Sequence, residues 1–456
     1  MAATEIDGSM NNTPRNDMNG NVYYSENIYP SSIYASTDNE RSRFLSFAGY
    51  YYYELSGKNT LTFTPTYIVS HTEQSSSYLE NTFTGISNSA TDNTNQLRAN
   101  LSFTQNLGKL GNLLAFVRGN YEYNRTFYSG SVSSLDKAKS SRIGGGVTYT
   151  FGKDNFYGLA GVGYDWDQQK FGEVEDKTAS PWADLSLQFV FKKKHSLSTT
   201  FHYSTWQPSS SYKSNNIIVA SSFLKYTGNP SLFPYKSYDI GLDYTWIPNN
   251  RFNMSAFAYG WTVGDRYAFD YIPMEDGILR TIKQPIGSFA DFRYGINASA
   301  KFLDNNLDLR AQIAQNLYYN GAPYNQSHSS VYWHAQLRYY MKSWHFSLTY
   351  ISDKATAPRS TNGFWTKNKN DWQLSIGWAK GNWNFITNIV NMTRWSWRSD
   401  INKMHSKYYS VNERLYNGNS HALIQLSATY TFGYGRKIKN DNEPSVSGNA
   451  SSGILK

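Results

Sequence analysis

Apolar and polar residues alternate along most of this chain with a period of two. In residues 97–104 every odd position is apolar and every even position is polar, and the same alternation fills residues 183–191, 238–246 and 422–432. A β-strand places successive side chains on opposite faces, whereas a helix would need apolar residues three or four positions apart. From Arg43 onward the pattern predicts about 17 strands of roughly 10 to 15 residues, each with one apolar face.

The connections between these strands alternate strictly between short and long. The short turns fall at residues 57–59, 108–112, 152–155, 192–195, 248–250, 304–306, 342–343 and 381–382. The long, polar connections fall at residues 74–93, 128–139, 172–180, 208–236, 271–287, 320–329, 357–370 and 398–419. A sandwich or a propeller has no reason to place every short turn at one end, whereas an outer-membrane barrel has short periplasmic turns and long extracellular loops.

The composition fits a sheet that faces lipid on one side and water on the other. Aromatic residues make up 17% of the chain although the mean hydropathy is −0.59. Many of them lie near strand ends, as at Tyr50–Tyr53 and Trp395–Trp397, where a membrane interface would hold their rings. No run approaches the roughly 18 apolar residues that a spanning helix needs. The sequence therefore predicts an all-β fold, a transmembrane antiparallel outer-membrane barrel with 17 or 18 visible strands, either whole or part of a 22-stranded barrel.

Charge and cysteine content remove several other classes. The chain has no cysteine, which excludes a disulfide scaffold, a thiolate metal site and cysteine catalysis. The net charge of +9 is spread over turns and loops, and the run Lys192–Lys194 sits in a predicted tight turn. This distribution indicates a solvated rim and no nucleic-acid partner.

The two ends of the chain depart from the alternating pattern. We expect residues 1–41 to form a polar N-terminal segment or an extracellular loop with a partial strand, residues 42–433 the barrel, and residues 434–456 a disordered periplasmic tail. Residues 1–21 contain no apolar signal-peptide core, so we expect either an artificial start or a missing N-terminal portion. Within the barrel, Pro65 interrupts a predicted strand and predicts a bulge.

Three segments resemble the barrels of TonB-dependent receptors. Residues 228–234, with the sequence GNPSLFP, and the strand that follows them resemble a loop-and-strand element of this family, although Tyr235 stands where the family usually has Glu. Residues 386–392 resemble a strand near the family's C-terminus. Residues 426–432 resemble its closing strand, in which Tyr430 and Phe432 would provide the assembly signal.

The resemblance implies import of a nutrient across the outer membrane, powered from the inner membrane. It also implies a set of partners: outer-membrane lipid, the barrel assembly machinery, a plug domain, TonB and a surface lipoprotein. The sequence contains no recognisable plug domain or TonB box, so we expect this chain to be the C-terminal barrel portion of such a receptor. Two other classes stay open, a free-standing porin-like or structural barrel and a secreted carbohydrate-binding β-protein, and the turn alternation disfavours the second.

Two glycine-rich segments and one acidic segment superficially resemble ligand sites. Gly144–Gly146 and Gly158–Gly163 lack the spacing of a dinucleotide loop and precede no helix, so they predict kinks in curved barrel strands. The acidic segment holds Asp165, Asp167, Glu173, Glu175 and Asp176. It does not match a calcium-binding EF-hand, because Lys170 occupies the glycine position, and it predicts an acidic lumen wall and rim.

The histidines suggest no metal site and no enzyme. His202, His334 and His345, for example, lie one to a strand without ligand spacing. A Ser-His-Asp hydrolase stays open because its members converge in space, although no nucleophile elbow supports it. We therefore expect no enzymatic activity, no cofactor and no bound metal.

Strand parity assigns side chains to the two faces of the barrel. The candidates for contact with a substrate or a plug in the lumen are Arg98, Asn100, Arg118, Asn120, Glu122, Asp239, Asp243, Arg293, Asn297 and Arg310. The residues predicted to face lipid are Leu101, Phe103, Leu187, Phe189, Leu242 and Leu426. The loop aromatics Tyr212, Trp365 and Tyr416 are candidates for stacking on a ring-shaped ligand.

An odd number of strands leaves the barrel unclosed. With 17 strands, the first (43–56) and the last (421–432) would run in the same direction, whereas bacterial single-chain barrels have even numbers of antiparallel strands. We expect that the missing strand comes from a portion outside this chain or from residues 21–35. A direct ladder between the first and last strands would contradict this count.

Overall fold

The structure is a computed structural model that describes residues 2–24, 29–80, 83–322, 325–356, 364–368, 370–392, 400–405, 407–417 and 422–431. Strands dominate this part of the chain, and three single-turn 3-10 helices lie at Ser56–Lys58, Gly108–Leu110 and Ser210–Lys213. Within these ranges no helix has the length and apolar character required to cross a bilayer.

The described residues contain 26 strands, most of them paired with their neighbours along the chain. They are β1 (Ala2–Tyr24), β2 (Ser32–Glu54), β3 (Thr60–Glu80), β4 (Phe83–Asn106), β5 (Asn112–Ser129), β6 (Ser134–Lys153), β7 (Phe156–Phe171), β8 (Val174–Phe191), β9 (His195–Trp206), β10 (Ile218–Ser221), β11 (Leu224–Tyr226), β12 (Tyr235–Asn249), β13 (Phe252–Gly264), β14 (Ala268–Met274), β15 (Gly277–Lys283), β16 (Phe289–Phe302), β17 (Leu307–Asn320), β18 (Gln326–Met341), β19 (Trp344–Ile351), β20 (Lys354–Thr356), β21 (Phe364–Asn368), β22 (Asp371–Lys380), β23 (Trp383–Val390), β24 (Asp400–His405), β25 (Tyr409–Asn417) and β26 (Leu423–Tyr430).

Two sheets account for all of these strands. The large one, here called the wall, is antiparallel throughout and contains every strand except β10, β11, β14 and β15. Its strands β20, β21, β24 and β25 are outer continuations of β19, β22, β23 and β26, so the wall consists of 18 passes of the chain. The other sheet, here called the cap, has the order β10-β11-β15-β14 and is built from the connections after β9 and β13. The prediction of an antiparallel β-barrel fold is confirmed, and 17 of the wall's passes follow β1.

The short turns are confirmed, and several long connections are corrected. Each predicted turn separates two antiparallel wall strands, and Lys192 and Lys193 adopt the left-handed backbone conformation that tight turns favour, with φ of 52° and 54°. By contrast, most of residues 74–93 belongs to β3 and β4, which stay paired from Thr60↔Thr104 to Glu80↔Phe83. Backbone hydrogen bonds can hold a hairpin together without an apolar face. Because the prediction relied on apolar residues at alternate positions, it missed these polar extensions of the strands.

The bulge predicted at Pro65 is absent from the described ladder. Ala48 pairs with Thr66 and Tyr51 with Phe63, so the register between β2 and β3 is the same on both sides of the proline. The proline lacks an N–H group, which interrupts the ladder locally without inserting a residue. Gly49 lies opposite, where the absence of a side chain leaves room for the proline ring.

The eighteenth pass comes from the N-terminus, but not from the residues expected. It is Ala2–Tyr24, and of the expected segment only residues 21–24 belong to this strand, whereas residues 32–35 begin β2. One edge of β1 pairs with β2, and Asn16–Tyr24 on its other edge pairs with Tyr409–Asn417 of β25. Residues 2–15 have little apolar alternation, which explains why the sequence did not predict this strand.

Below this ladder the described residues show a seam. The inner part of β1 pairs only with β2, and β26 pairs only with β23. β1 therefore lies between β2 and the last hairpin, and no ladder joins β2 to β26 among the described residues. This arrangement agrees with the expected strand count.

Candidate functional site: the lumen face of the wall

The cap defines which face of the wall is internal. Asn88 on β4 donates from Nδ2 to the Val219 carbonyl of β10 at 2.8 Å. Asp136 on β6 accepts hydrogen bonds of 2.7 Å each from Ser214 and Asn216, which lie in the connection that leads to the cap. These residues share the even-numbered face of β4–β6, so that face lines the lumen.

The outward face carries the residues predicted to face lipid. Leu101, Phe189, Leu242 and Leu426 are exposed, and Leu426 retains 78% of its accessible surface. Phe103 and Leu187 are partly covered by their neighbours. All six lie on the face opposite the lumen, and their contact with lipid stays a prediction.

An ion pair crosses three strands of the lumen wall. Arg118 on β5 forms two hydrogen bonds with Asp165 on β7, at 3.1 Å from Nε and 2.6 Å from Nη2. Gly144 on β6 lies between them in the same row, and a Cβ atom there would collide with the Asp165 carboxylate. The glycine therefore allows the arginine to reach over β6, which is a different role from the predicted kink.

A second ion pair ties the wall to the connection that leads to the cap. Arg142 on β6 bonds Asp167 on β7 at 2.5 Å, and Gln207 donates to the other oxygen of Asp167 at 2.8 Å. Lys213, in the same connection as Gln207, pairs with Asp176 at 2.5 Å. These carboxylates have cationic partners, and no group of metal-ligating side chains occurs among the described residues.

Four further candidates form a polar column on β4 and β5. Gln96 donates to Glu122 at 3.0 Å, and the next rows toward the turn pair Arg98 with Asn120 and Asn100 with Arg118. In the opposite direction the column continues into buried Asp92, whose two oxygens accept from Thr94 at 2.7 Å and Thr126 at 2.6 Å. The column is a continuous polar surface with hydrogen bonds at several of its rows, and the parity of single residues could not predict these cross-strand neighbours.

Asp239 and Arg293 line a separate cavity of about 250 Å³, most of whose lining belongs to β12, β13, β16 and β17, with Thr200 of β9 and Lys354 of β20. Cross-strand pairing places Asp239, Trp261, Asp291 and Tyr318 in one row and Gly241, Tyr259, Arg293 and Asn316 in the next. Asp243 lies one row farther along β12. We call this region the lumen cavity.

Aromatic rings support the charged groups of the lumen cavity. The Tyr259 hydroxyl donates to both oxygens of Asp243, at 2.7 and 2.8 Å. The Arg293 guanidinium lies 5.4 Å from the ring centroids of both Phe257 and Tyr259, within the range of a cation–π interaction. Gly241 leaves space for the Tyr259 ring, which explains the glycine in the middle of an otherwise alternating strand.

The remaining lumen candidates lie elsewhere. Arg310 on β17 bonds Asp308 on its own strand, at 3.0 Å from Nε and 2.8 Å from Nη2. Asn297 on β16 donates to Ser255 at 3.2 Å. Both residues line a cavity of about 610 Å³ beside the turn between β12 and β13. The predicted set therefore divides into three groups: the β4–β7 wall, the lumen cavity and this turn-side cavity.

The cap joins the wall through an aromatic cluster. Val22 and Tyr24 of β1, Tyr34 of β2 and Tyr409 of β25 pack against buried residues of the cap such as Tyr271. The Tyr271 and Tyr409 rings stack with centroids 5.2 Å apart. The cluster therefore couples the cap to the strands that meet beside the seam.

A cationic clamp holds the cap together internally. The Arg280 guanidinium of β15 lies 3.4 Å from the centroid of the Tyr226 ring and 4.3 Å from that of Phe269. Tyr212, a candidate for ligand stacking, instead packs edge-on against Tyr267 and Phe269 beneath the cap. The side chains of Trp365 and Tyr416 lie outside the described residues.

Solved structures with this architecture identify the fold. The copper transporter OprC covers the chain with a TM-score of 0.57 and 9% identity, over 89% of this chain and 80% of that one. The FpvAI–pyocin S2 complex gives a TM-score of 0.50 and 9% identity, over 88% of this chain and 70% of that one. No family model matches the sequence, and no curated protein shows significant similarity to it. The chain has the outer-membrane β-barrel fold of TonB-dependent receptors.

The closing strand of this receptor-type barrel is only partly described. Tyr430 ends β26, and its ring lies 4.7 Å from that of Trp383 on β23. Phe432, the other residue of the expected assembly signal, lies outside the described residues, as does the tail that follows it. Their role in assembly stays a prediction.

The hydrolase alternative gains no support from the described histidines. His202 bonds Asp184 through Nδ1, and no described serine is hydrogen-bonded to its other ring nitrogen. Both side chains lie on the lumen face of the wall in neighbouring strands. The pair is a cross-strand contact of the barrel wall.

Proposed function

We propose that this chain is an outer-membrane transport barrel of the TonB-dependent receptor type, which imports a nutrient and carries out no chemical reaction. The fold supports this assignment, since OprC, a copper transporter, has the same architecture. The observation that carries the proposal is the lumen itself. Its wall presents charged and amide side chains to the interior, and a folded cap is bonded to that wall from within.

The lumen-facing residues are the proposed contact surface for a substrate or a plug domain. Arg98, Asn120 and Glu122 form part of a continuous polar surface on β4–β6, which suits a docked protein domain better than a small solute. The remaining proposed partners are TonB, a surface lipoprotein, the assembly machinery and membrane lipid. These partners follow from the resemblance and from the apolar outward face.

Conductance measurements distinguish this proposal from a porin-like barrel. The chain would be produced behind an export signal, purified from the outer-membrane fraction and inserted into planar bilayers. We expect low conductance that rises when residues 216–226 and 268–283, which contain the cap strands, are replaced by Gly-Ser linkers. A barrel that lacks residues 433–456 serves as the deletion control.

The outcomes separate the alternatives clearly. High steady conductance of the intact barrel, unchanged by loss of the cap, would support the free-standing porin. Recovery of the exported chain only from the soluble periplasmic fraction would overturn both membrane assignments.

A further inference from the structure

The lumen cavity contains two cationic groups that form no direct salt bridge among the described residues. Arg293 and Lys354 both line it, and neither forms an ion pair with any described residue. Arg293 contacts aromatic rings, and the Lys354 ammonium lies 4.6 Å from the Tyr332 ring centroid. Asp291 is within electrostatic range of both cations without forming a salt bridge. Asp239 and Asp291 also line the cavity, so its wall carries two cations and two carboxylates, and a ligand that bears both an anionic group and donor groups would match it.

The same cavity contains hydrogen-bond acceptors without donors. The Oδ1 atoms of Asp291 and Asn316 are buried and have no hydrogen-bond partner. Asn316 is only 2% exposed, and its amide nitrogen already donates to the Tyr318 hydroxyl at 3.2 Å. A buried acceptor without a donor is costly, and native proteins usually satisfy it with protein, water or ligand. A molecule that occupies the cavity would therefore need hydrogen-bond donors to satisfy these two oxygens.

Size and shape restrict the occupant further. A cavity of about 250 Å³ accommodates a molecule of about the size of one sugar ring or amino acid. The Trp261 indole N–H donates to Ser237 at 2.7 Å, which fixes the ring, and Trp261 and its cross-strand partner Asp291 both line the cavity. The site thus combines an aromatic side chain, two cations and two buried acceptor oxygens around one cavity.

From this arrangement we infer that the lumen cavity binds a small organic acid that also carries hydroxyl or ammonium donors. The carboxylate of the ligand pairs with Arg293 and Lys354, and its donors bond Asp291 and Asn316. This inference rests on the proposed transport function, for which it names the substrate class. Sugar acids and amino acids share the required chemistry.

Calorimetric titration of the purified full-length chain in detergent tests the inference. Glucuronate and serine represent the two sources of the ligand chemistry. Glucose lacks the carboxylate, and propionate lacks the donors. We expect glucuronate or serine to bind at least about tenfold more tightly than both glucose and propionate, because a site with buried polar groups discriminates against an analogue that leaves them unpaired.

Three variants connect binding to the named groups. Arg293→Gln should weaken binding of the preferred acid by about tenfold, and Asn316→Leu should remove the preference over propionate. Arg125→Gln removes the same charge from the exposed outward face of β5 and should leave binding unchanged. Circular dichroism and heat-modifiable migration in gels would confirm that each variant is folded.

The results separate failure of the inference from failure of the transport proposal. Equal affinity for all four compounds, or an equal effect of Arg293→Gln and Arg125→Gln, would overturn the organic-acid site while leaving the conductance results intact. A soluble, non-membrane chain that still bound glucuronate through Arg293 would overturn the transport proposal and retain the site.

Discussion

At the scale of single residues, Gly144 allows side chains on two strands that are not adjacent to form an ion pair. Arg118 and Asp165 belong to β5 and β7, and their bidentate pair passes over β6 at the position of this glycine. The Asp165 side chain retains only 9% of its accessible surface, so displacement of the arginine would leave a carboxylate with little solvation. A methyl group at position 144 would collide with the Asp165 carboxylate and push it away from the arginine.

We predict that Gly144→Ala destabilises the barrel by about 1–3 kcal/mol, the usual cost of adding a methyl group where no space exists. Urea unfolding of the barrel in lipid vesicles would measure the change. Gly119→Ala is the matched control, because a Cβ atom at position 119 would meet nothing closer than 4.0 Å. Equal effects of the two substitutions would contradict the steric explanation.

The two faces of one strand should differ in their tolerance of charge. Leu101 and Ser102 are neighbours on β4, with Leu101 on the outward face and Ser102 on the lumen face. We expect Leu101→Arg to cost about 2–4 kcal/mol in a bilayer and Ser102→Arg far less, because only the first places a cation in lipid. The same unfolding assay compares them, and equal costs would show that Leu101 does not face lipid.

At the scale of elements, polar sequence proved compatible with long paired strands. The connections predicted at residues 74–93 and 128–139 are mostly ladder, whereas the connections after β9 and β13 form a sheet of their own. Periodicity detects an apolar face, and a hairpin that projects into water has none. The difference between a hairpin and a folded cap therefore could not be obtained from the pattern of a single connection.

The closing strand yields a prediction about assembly. Removal of residues 433–456 should leave membrane insertion intact, since the tail has no alternating pattern to pair or bury. Phe432→Ala should reduce insertion, because the resemblance assigns the assembly signal to this terminal aromatic. Outer-membrane fractionation and heat-modifiable gel migration would measure both effects. Loss of insertion on tail removal alone would refute the assignment.

At the scale of the whole molecule, β1 separates the second strand from the last hairpin. The cysteine-free sequence makes this arrangement accessible to disulfide trapping. Asn21 and Asn412 are direct cross-strand partners in the β1–β25 ladder, so the pair Asn21→Cys and Asn412→Cys should oxidise readily. Non-reducing gel electrophoresis after mild oxidation would detect the product.

A control pair of cysteines tests whether β2 and β26 pair directly, which the strand count excludes. Leu45→Cys on β2 and Leu426→Cys on β26 should remain reduced, because β1 lies between these strands. Two strand spacings amount to roughly 10 Å, which exceeds the reach of a disulfide. Efficient formation of the Leu45–Leu426 disulfide would show that β2 and β26 are adjacent and that β1 is not part of the wall.

The sequence by itself determined the fold class, the 17 passes after the first strand, the short turns and the alternation of side chains between the two faces of each strand. These properties depend on the alternation of apolar and polar residues and on the residues that favour tight turns, and both are features of short stretches of sequence. Arg118, Asp239, Asp243 and Arg293 could be placed on the lumen face for this reason. Their partners could not be identified, because cross-strand rows depend on register between distant segments.

Only the tertiary structure decided which of those residues meet. It joined Arg118 to Asp165 across a glycine, placed Asp291, Arg293, Asn316 and Lys354 around one cavity, and inserted β1 beside the last hairpin. Each of these arrangements brings together residues that are far apart in the chain. The pairing of the strands sets these neighbours, and it depends on backbone hydrogen bonds, which are nearly independent of the side chains. A local pattern carries no signal for such contacts.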